Sequence, residues 1–211
     1  MPLNLALDLA LIPSGADLHR LIKIAQSPTL SPDRLKLHPT LAVPHLTLAF
    51  DLCEDISNGW VNHFFSNGST KPIFGQSSLE LMVTSVYQAH TTTGLVIGLN
   101  FGLHPALQLA HDLAWNNLSH LAGFVTDNLS IDALADPSTA DPITLDWIRN
   151  FPAGTGPNYQ PHITLGFAAN DQAIEELTQY IGQTVHFSHV GIYQLGNYCT
   201  CQKLLALSPL Y

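Results

Sequence analysis

Pro44-His45-Leu46-Thr47-Leu48-Ala49-Phe50 returns 117 residues later as Pro161-His162-Ile163-Thr164-Leu165-Gly166-Phe167. Five of the seven positions are identical, and the other two exchange Leu for Ile and Ala for Gly. Strand alternation places each His and Thr side by side on one face. It sends Leu46, Leu48 and Phe50, or Ile163, Leu165 and Phe167, into the core. Proline is tolerated at a first strand position, so Pro44 and Pro161 start these strands cleanly. With 11 His and 16 Thr in 211 residues, composition alone gives about 0.8 His-x-Thr pairs; the chain has four. His38-Pro39-Thr40 carries a proline that cannot join a ladder and His90-Thr91-Thr92 reads as a turn, which leaves the two heptapeptides.

Working outward, Leu3, Leu5, Leu7, Leu9 and Leu11 alternate with polar or small residues and predict a strand with one face in the core. Ser14 then caps a helix to about Ala25. A second strand runs from about His45 to Leu52. A short helix around 57–65 follows, and strands near 78–88 and 94–101 are joined by a turn at His90–Thr93. Pro105 opens a helix whose apolar face is Leu107, Ala110, Ala114, Leu118 and Leu121. Residues 126–159 hold little periodicity beyond a turn at 145–148 and read as an irregular insertion or lid. A strand at 162–168, a helix from Asp171 to Ile181 and two closing strands near 185–195 and 200–207 complete the chain. The order suggests one domain, 1–211, made of two similar lobes, with the motifs at 44–50 and 161–167.

Composition narrows the function. The chain is 46% hydrophobic and 11% charged, with a formal charge of −9, which excludes a disordered chain. Positions 72–148 contain no Lys or Arg, so a long nucleic acid finds no track of counter-charge there. Three cysteines, Cys53, Cys199 and Cys201, lack a disulfide framework and fit a reducing compartment. No segment reads as a membrane span and the N-terminal run lacks a basic flank, so a cytoplasmic protein without membrane partners is expected.

Two strands presenting two imidazoles and two hydroxyls across one groove suit in-line displacement at phosphorus. One neutral imidazole takes a proton from water, the opposite imidazolium gives one to the leaving oxygen, and the hydroxyls hold non-bridging oxygens. Histidine titrates near neutrality and serves both roles; neither metal nor cofactor is required.

On these motifs the sequence resembles the two-histidine (2H) phosphoesterase superfamily, marked by paired His-x-Thr/Ser motifs in apolar strands. The resemblance covers essentially the whole chain. It implies an α+β, two-lobed, pseudo-twofold duplicated fold of antiparallel sheets flanked by helices, with the groove between the lobes. It also implies that His45, Thr47, His162 and Thr164 are catalytic. Its members mostly open 2′,3′-cyclic phosphates on small nucleotides or RNA ends, which makes a small nucleotide or short RNA end the expected substrate. The alternatives are cleavage of 2′-5′-linked or cyclic oligonucleotide signals, and a nucleotide-binding module without turnover.

Weaker signals surround the motifs. Tyr159, three residues before His162, is placed in the groove as a substrate-binding platform, with Tyr87, Trp115 and Trp147 as further candidates. His104 with His111, His186 with His189, and Cys199 with Cys201 form no complete metal set. His111 falls on an apolar helix face and reads as a core histidine. Lys71 is a candidate phosphate contact.

Overall fold

The alternation of Leu5, Leu7, Leu9 and Leu11 produces β1 (Asn4–Pro13) in a computed structural model that describes residues 4–31, 33–54, 79–122 and 129–210. The other strands are β2 (Leu46–Glu54), β3 (Leu79–Thr91), β4 (Gly94–Phe101), β5 (His162–Phe167), β6 (Thr184–Leu195) and β7 (Cys201–Pro209). The helices are α1 (Gly15–Ala25), α2 (Pro105–Ala122), α3 (Ile143–Asn150) and α4 (Gln172–Thr178). The expected helix at 57–65 and Lys71 lie outside the described residues.

All described strand pairs are antiparallel, in the order β2-β1-β6-β3-β4-β5, with β7 also on β6. The sheet is open and branches at β6. One end of β6 pairs with β3 from Phe187 to Thr184, and the other pairs with β7 from His189 to Leu195. The two arms diverge from this shared strand, and the two motif strands, β2 and β5, stand at opposite ends of the strand order.

The main core lies where the helices meet the sheet. Leu21, Ile22 and Ile24 of α1, Leu107, Ala110, Ala114 and Leu118 of α2, and Ala173 and Leu177 of α4 join Leu7, Leu9, Leu11, Leu46, Leu48, Ile163 and Leu165. The helical spacing on α2 is what delivers its apolar stripe to this layer. His111 on that stripe is fully buried, as its position predicted.

Several local expectations are corrected. β1 is buried on both faces, since Ala6, Asp8 and Ala10 are as inaccessible as the leucines. Ala10 packs with Ile12, Val43, Tyr193 and Cys201, whereas Ala6 is covered by the segment expected to be irregular, which instead contains α3 and short 3-10 turns. Leu129, Ala133, Leu134 and Ile148 form a second small core with Ala6, Phe50, Leu52 and Leu195. Ser14 precedes α1 without bonding its backbone and donates its hydroxyl to Asp17. At α4 the side-chain acceptor for the first turn is Asn170 rather than Asp171.

Phe50 is buried as expected but on the other face from Leu46 and Leu48, for a reason common to both motifs. In β2, Ala10 pairs with Thr47 but Leu9 pairs with Ala49, so Leu48 is an extra residue. In β5, Gly98 pairs with Thr164 but Ile97 pairs with Gly166, so Leu165 is the extra residue. A bulge one residue after each threonine reverses the alternation beyond it. Phe50 therefore joins the groove side with Asp8, its cross-strand partner.

Candidate active site

His45 and Thr47 project from the start of β2, and His162 and Thr164 from the start of β5, into one cavity of about 700 Å³. Both imidazoles are fixed in the same way. His45 Nδ1 lies 2.8 Å from the carbonyl of Val43 and His162 Nδ1 lies 2.8 Å from that of Gln160, each two residues upstream. A carbonyl only accepts, so both Nδ1 atoms carry a proton and both Nε2 atoms are left to act. The four motif residues thus share one cavity, as the alternation of the sequence predicted.

The two halves differ in one residue that the sequence reading did not select. Asp8 of β1 is fully buried. Its Oδ2 lies 3.1 Å from His45 Nε2 and accepts the Thr47 hydroxyl at 2.9 Å and the Cys201 thiol at 3.8 Å. Burial works against charge on His45, but the Asp8 hydrogen bond and carboxylate charge outweigh it, and the pKa stands above the ordinary 6.5. Burial lowers the pKa of His162 below 6.5, and repulsion from His45 adds to the effect.

The cavity wall is aromatic and amide-bearing. Phe50, Trp147, Phe151 and Tyr198 line it together with Asn150, Asn158 and Gln160. Phe50 and Phe151 stack at 4.0 Å between centroids. Tyr87 lies parallel to His162 at 3.8 Å. Tyr159 borders the cavity, yet its ring is stacked on His111 at 3.9 Å and its hydroxyl donates to the Thr47 carbonyl at 2.7 Å. In this arrangement it braces β2 and has one ring face already covered. Trp115 packs against Phe151 and is not among the residues lining the cavity.

The histidine and cysteine pairs weighed as metal ligands do not assemble. His111 Nδ1 meets the Leu48 carbonyl at 2.6 Å and its Nε2 accepts from the Gly156 amide at 3.0 Å. His186 is held by Asp17 and His189 by Ser188. Cys199 lies in a tight turn with positive φ, while Cys201 faces Asp8. A different trio, Asp8, His45 and Cys201, brings a carboxylate oxygen, a ring nitrogen and a sulfur within 4.8 Å of one another. Burial raises the Cys201 pKa far above the usual thiol range and the Asp8 charge raises it further, so the thiol keeps its proton.

No family model and no curated protein matches the chain. Among solved structures, E. coli LigT complexed with 3′-AMP aligns with a TM-score of 0.53 at 16% identity, covering 98% of each chain. LigT in its apo form gives 0.49 at 14% identity, covering 98% of this chain and 97% of that one. Kluyveromyces marxianus Usb1 gives 0.35 at 9% identity, covering 99% and 98%. The chain has the LigT fold, and the resemblance read from the two heptapeptides extends to the architecture. None of the described helices is long and apolar enough to cross a membrane.

Proposed function

We propose that the chain is a two-histidine phosphoesterase that opens 2′,3′-cyclic phosphates of small nucleotides or short RNA ends without a metal. The observation that carries this reading is the shared cavity of His45 and His162. Both rings are held by Nδ1, and their environments drive their proton affinities apart. Two titratable groups pushed in opposite directions are the arrangement that acid–base catalysis needs at neutral pH.

In the reaction, water attacks phosphorus in line with the bond to one ribose oxygen. One imidazole takes the water proton, that phosphorus–oxygen bond breaks, and the other imidazolium protonates the departing oxygen. The two histidines then exchange protons with solvent and recover their starting states. A motif hydroxyl holds a non-bridging oxygen of the phosphoryl group, and the cavity excludes bulk water around the developing charge.

The aromatic wall suits a base or ribose, and the amides of Asn150, Asn158 and Gln160 offer donors and acceptors to its edges. LigT, whose fold the chain shares, has been crystallised with 3′-AMP, in line with a nucleotide occupant here. The test is a panel of 2′,3′-cyclic mononucleotides, 2′-5′ oligoadenylates and cyclic dinucleotides, assayed with excess chelator. Hydrolysis of the cyclic mononucleotides is expected. Turnover confined to the other two classes would move the substrate assignment, and saturable binding without turnover of any would leave a nucleotide-binding module.

A further inference from the structure

We propose that Asp8 is a positioning residue that breaks the symmetry of the two motifs, making His45 the proton donor, His162 the proton acceptor and Thr164 the hydroxyl that meets the phosphoryl group. This rests on the phosphoesterase reading and assigns within it what the duplicated motifs leave equivalent.

The assignment follows from counting donors and acceptors. His45 Nδ1 faces a backbone carbonyl and its Nε2 faces a carboxylate oxygen at 3.1 Å. Both neighbours accept, so a ring that satisfies both carries two protons and is an imidazolium. His162 has a carbonyl at Nδ1 and the stacked Tyr87 ring on its face. Among the described residues no carboxylate stands within ion-pair distance of it. Its Nε2 therefore keeps a lone pair for a water proton. The His45 Nε2 proton, held on Asp8 Oδ2 in this arrangement, passes to the departing oxygen when that oxygen replaces the carboxylate as its acceptor, and the neutral His162 ring is the base.

The threonines divide in the same way. Thr47 Oγ1 gives its only proton to Asp8 Oδ2, and so fixes the carboxylate rather than a ligand. Thr164 Oγ1 makes no hydrogen bond among the described residues, which leaves its proton for a phosphoryl oxygen. Asp8 can serve only the first motif because β1 lies beside β2, in the register that the Leu48 bulge sets. The strand beside β5 is β4, and the residue that pairs with Phe167 there, as Asp8 pairs with Phe50, is Val96, which offers no carboxylate.

The groups facing this centre come from several strands. Asp8 is on β1, Tyr193 pairs with it from β6, Cys201 faces it from β7, and His162 stands on β5. Cys199 and Tyr159 also lie close enough for the Asp8 charge to raise their pKa values, after burial. The tyrosines and thiols are thereby kept neutral, which leaves Asp8, His45 and His162 as the charge-bearing set.

The test uses the whole chain. At pH 6.5, the ordinary imidazole midpoint, long-range ¹H–¹⁵N spectra of the wild-type protein should show His45 mainly protonated on both nitrogens and His162 mainly on Nδ1 alone. In Asp8→Asn the His45 titration should move to lower pH while that of His162 moves little. With 2′,3′-cyclic AMP as substrate, the basic limb of kcat/KM should move toward acid while the acid limb, set by His162, stays in place. At a pH above both limbs the loss should be about tenfold for each pH unit that the limb moves. Thr47→Val should move the same limb in the same direction. Thr164→Val should raise KM for cyclic AMP and leave the limb in place.

A wild-type spectrum in which His162 titrates above His45 would overturn the assignment even if Asp8→Asn does not fold. So would a folded Asp8→Asn protein with the His45 titration and basic limb unmoved. If the wild type turns over no member of the substrate panel, the phosphoesterase reading fails while the spectra still judge the role of Asp8.

Discussion

Tyr87 and His162 lie face to face, with ring centroids 3.8 Å apart and planes 11° from parallel. The rings come from strands separated by β4. Tyr87 pairs with Gly98, and Gly98 pairs with Thr164, so the phenol reaches the imidazole across a position with no side chain. The Gln160 carbonyl sets the rotation of the imidazole in its plane, and the Tyr87 ring sets the plane. Aromatic pairs of this kind contribute about 0.5–1.5 kcal/mol, so Tyr87→Ala should lower kcat about 2- to 10-fold, with Tyr87→Phe close to wild type. Equal losses in the two variants would assign the effect to the hydroxyl instead.

Gly98 is required by the bulge that orients β5. A Cβ there would collide with the Ile163 carbonyl and crowd Thr164 Cα, and neither is the end of a flexible side chain. Gly98→Ala is expected to cost about 1–3 kcal/mol as an overpacked site and to lower activity by displacing His162 and Thr164. Gly154→Ala, where an added Cβ meets nothing within 4 Å, is the matched control. Thermal denaturation of both variants decides it, and equal melting temperatures would remove the steric account of the bulge.

The bulges also explain what could and could not be read from the chain. His45, Thr47, His162 and Thr164 were legible because a duplicated polar pair inside an apolar strand has little reason to persist for packing alone. Phe50 takes the other face from Leu46 and Leu48 because an inserted residue reverses strand alternation, and Leu48 and Leu165 look like any other strand residues. Asp8 was visible as a lone acid among apolar neighbours. Its meaning depends on Thr47, 39 residues away on another strand, and on a register that alternation does not specify. The small core of Leu129, Ala133, Leu134 and Ile148 was hidden for a related reason: these residues share no period and become a face only against β1, β2 and β6.

The rate should follow a bell against pH, with limbs set by opposite shifts. His162 acts when neutral and its pKa is lowered, so activity should rise through a limb below 6.5. His45 acts when protonated and its pKa is raised, so activity should fall through a limb above 6.5. His45→Ala and His162→Ala should each reduce kcat by about 10²–10⁴-fold with the circular dichroism spectrum unchanged, and each should abolish one limb. A variant that stays within a few-fold of wild type would show that its imidazole moves no proton in the rate-limiting step.

Metal should inhibit rather than activate. The proposed chemistry places no Lewis acid on the phosphoryl group, so activity should persist in excess chelator. Asp8, His45 and Cys201 nevertheless present three zinc-binding donor types within 4.8 Å. Zinc entering there must displace the protons on His45 and Cys201, and it would take the imidazole out of the reaction. Micromolar Zn²⁺ is expected to inhibit reversibly, and Cys201→Ser to weaken that inhibition. Activation by zinc after chelator treatment would contradict the metal-free reading.

The absence of charge in the cavity wall argues for a short substrate. Among the described residues, those lining the cavity include no Lys, Arg, Asp or Glu, and positions 72–148 carry no cation anywhere. A protein following an RNA backbone loses affinity by about 0.7 log units per log unit of salt for each single-strand phosphate it neutralises. Here the two histidines and the Thr164 hydroxyl serve one phosphoryl group, and a second phosphate would enter an aromatic and amide wall that offers no counter-charge. Comparing kcat/KM for a 2′,3′-cyclic mononucleotide and a ten-nucleotide RNA with the same cyclic end, at two salt concentrations, should give similar values and weak salt dependence for both. A strong preference for the longer RNA that vanishes at high salt would require a track built from Arg20, Lys23, Arg34, Lys36, Lys71, Arg149 or Lys203 leading to the cavity, and would replace the small-substrate assignment with an RNA-end one.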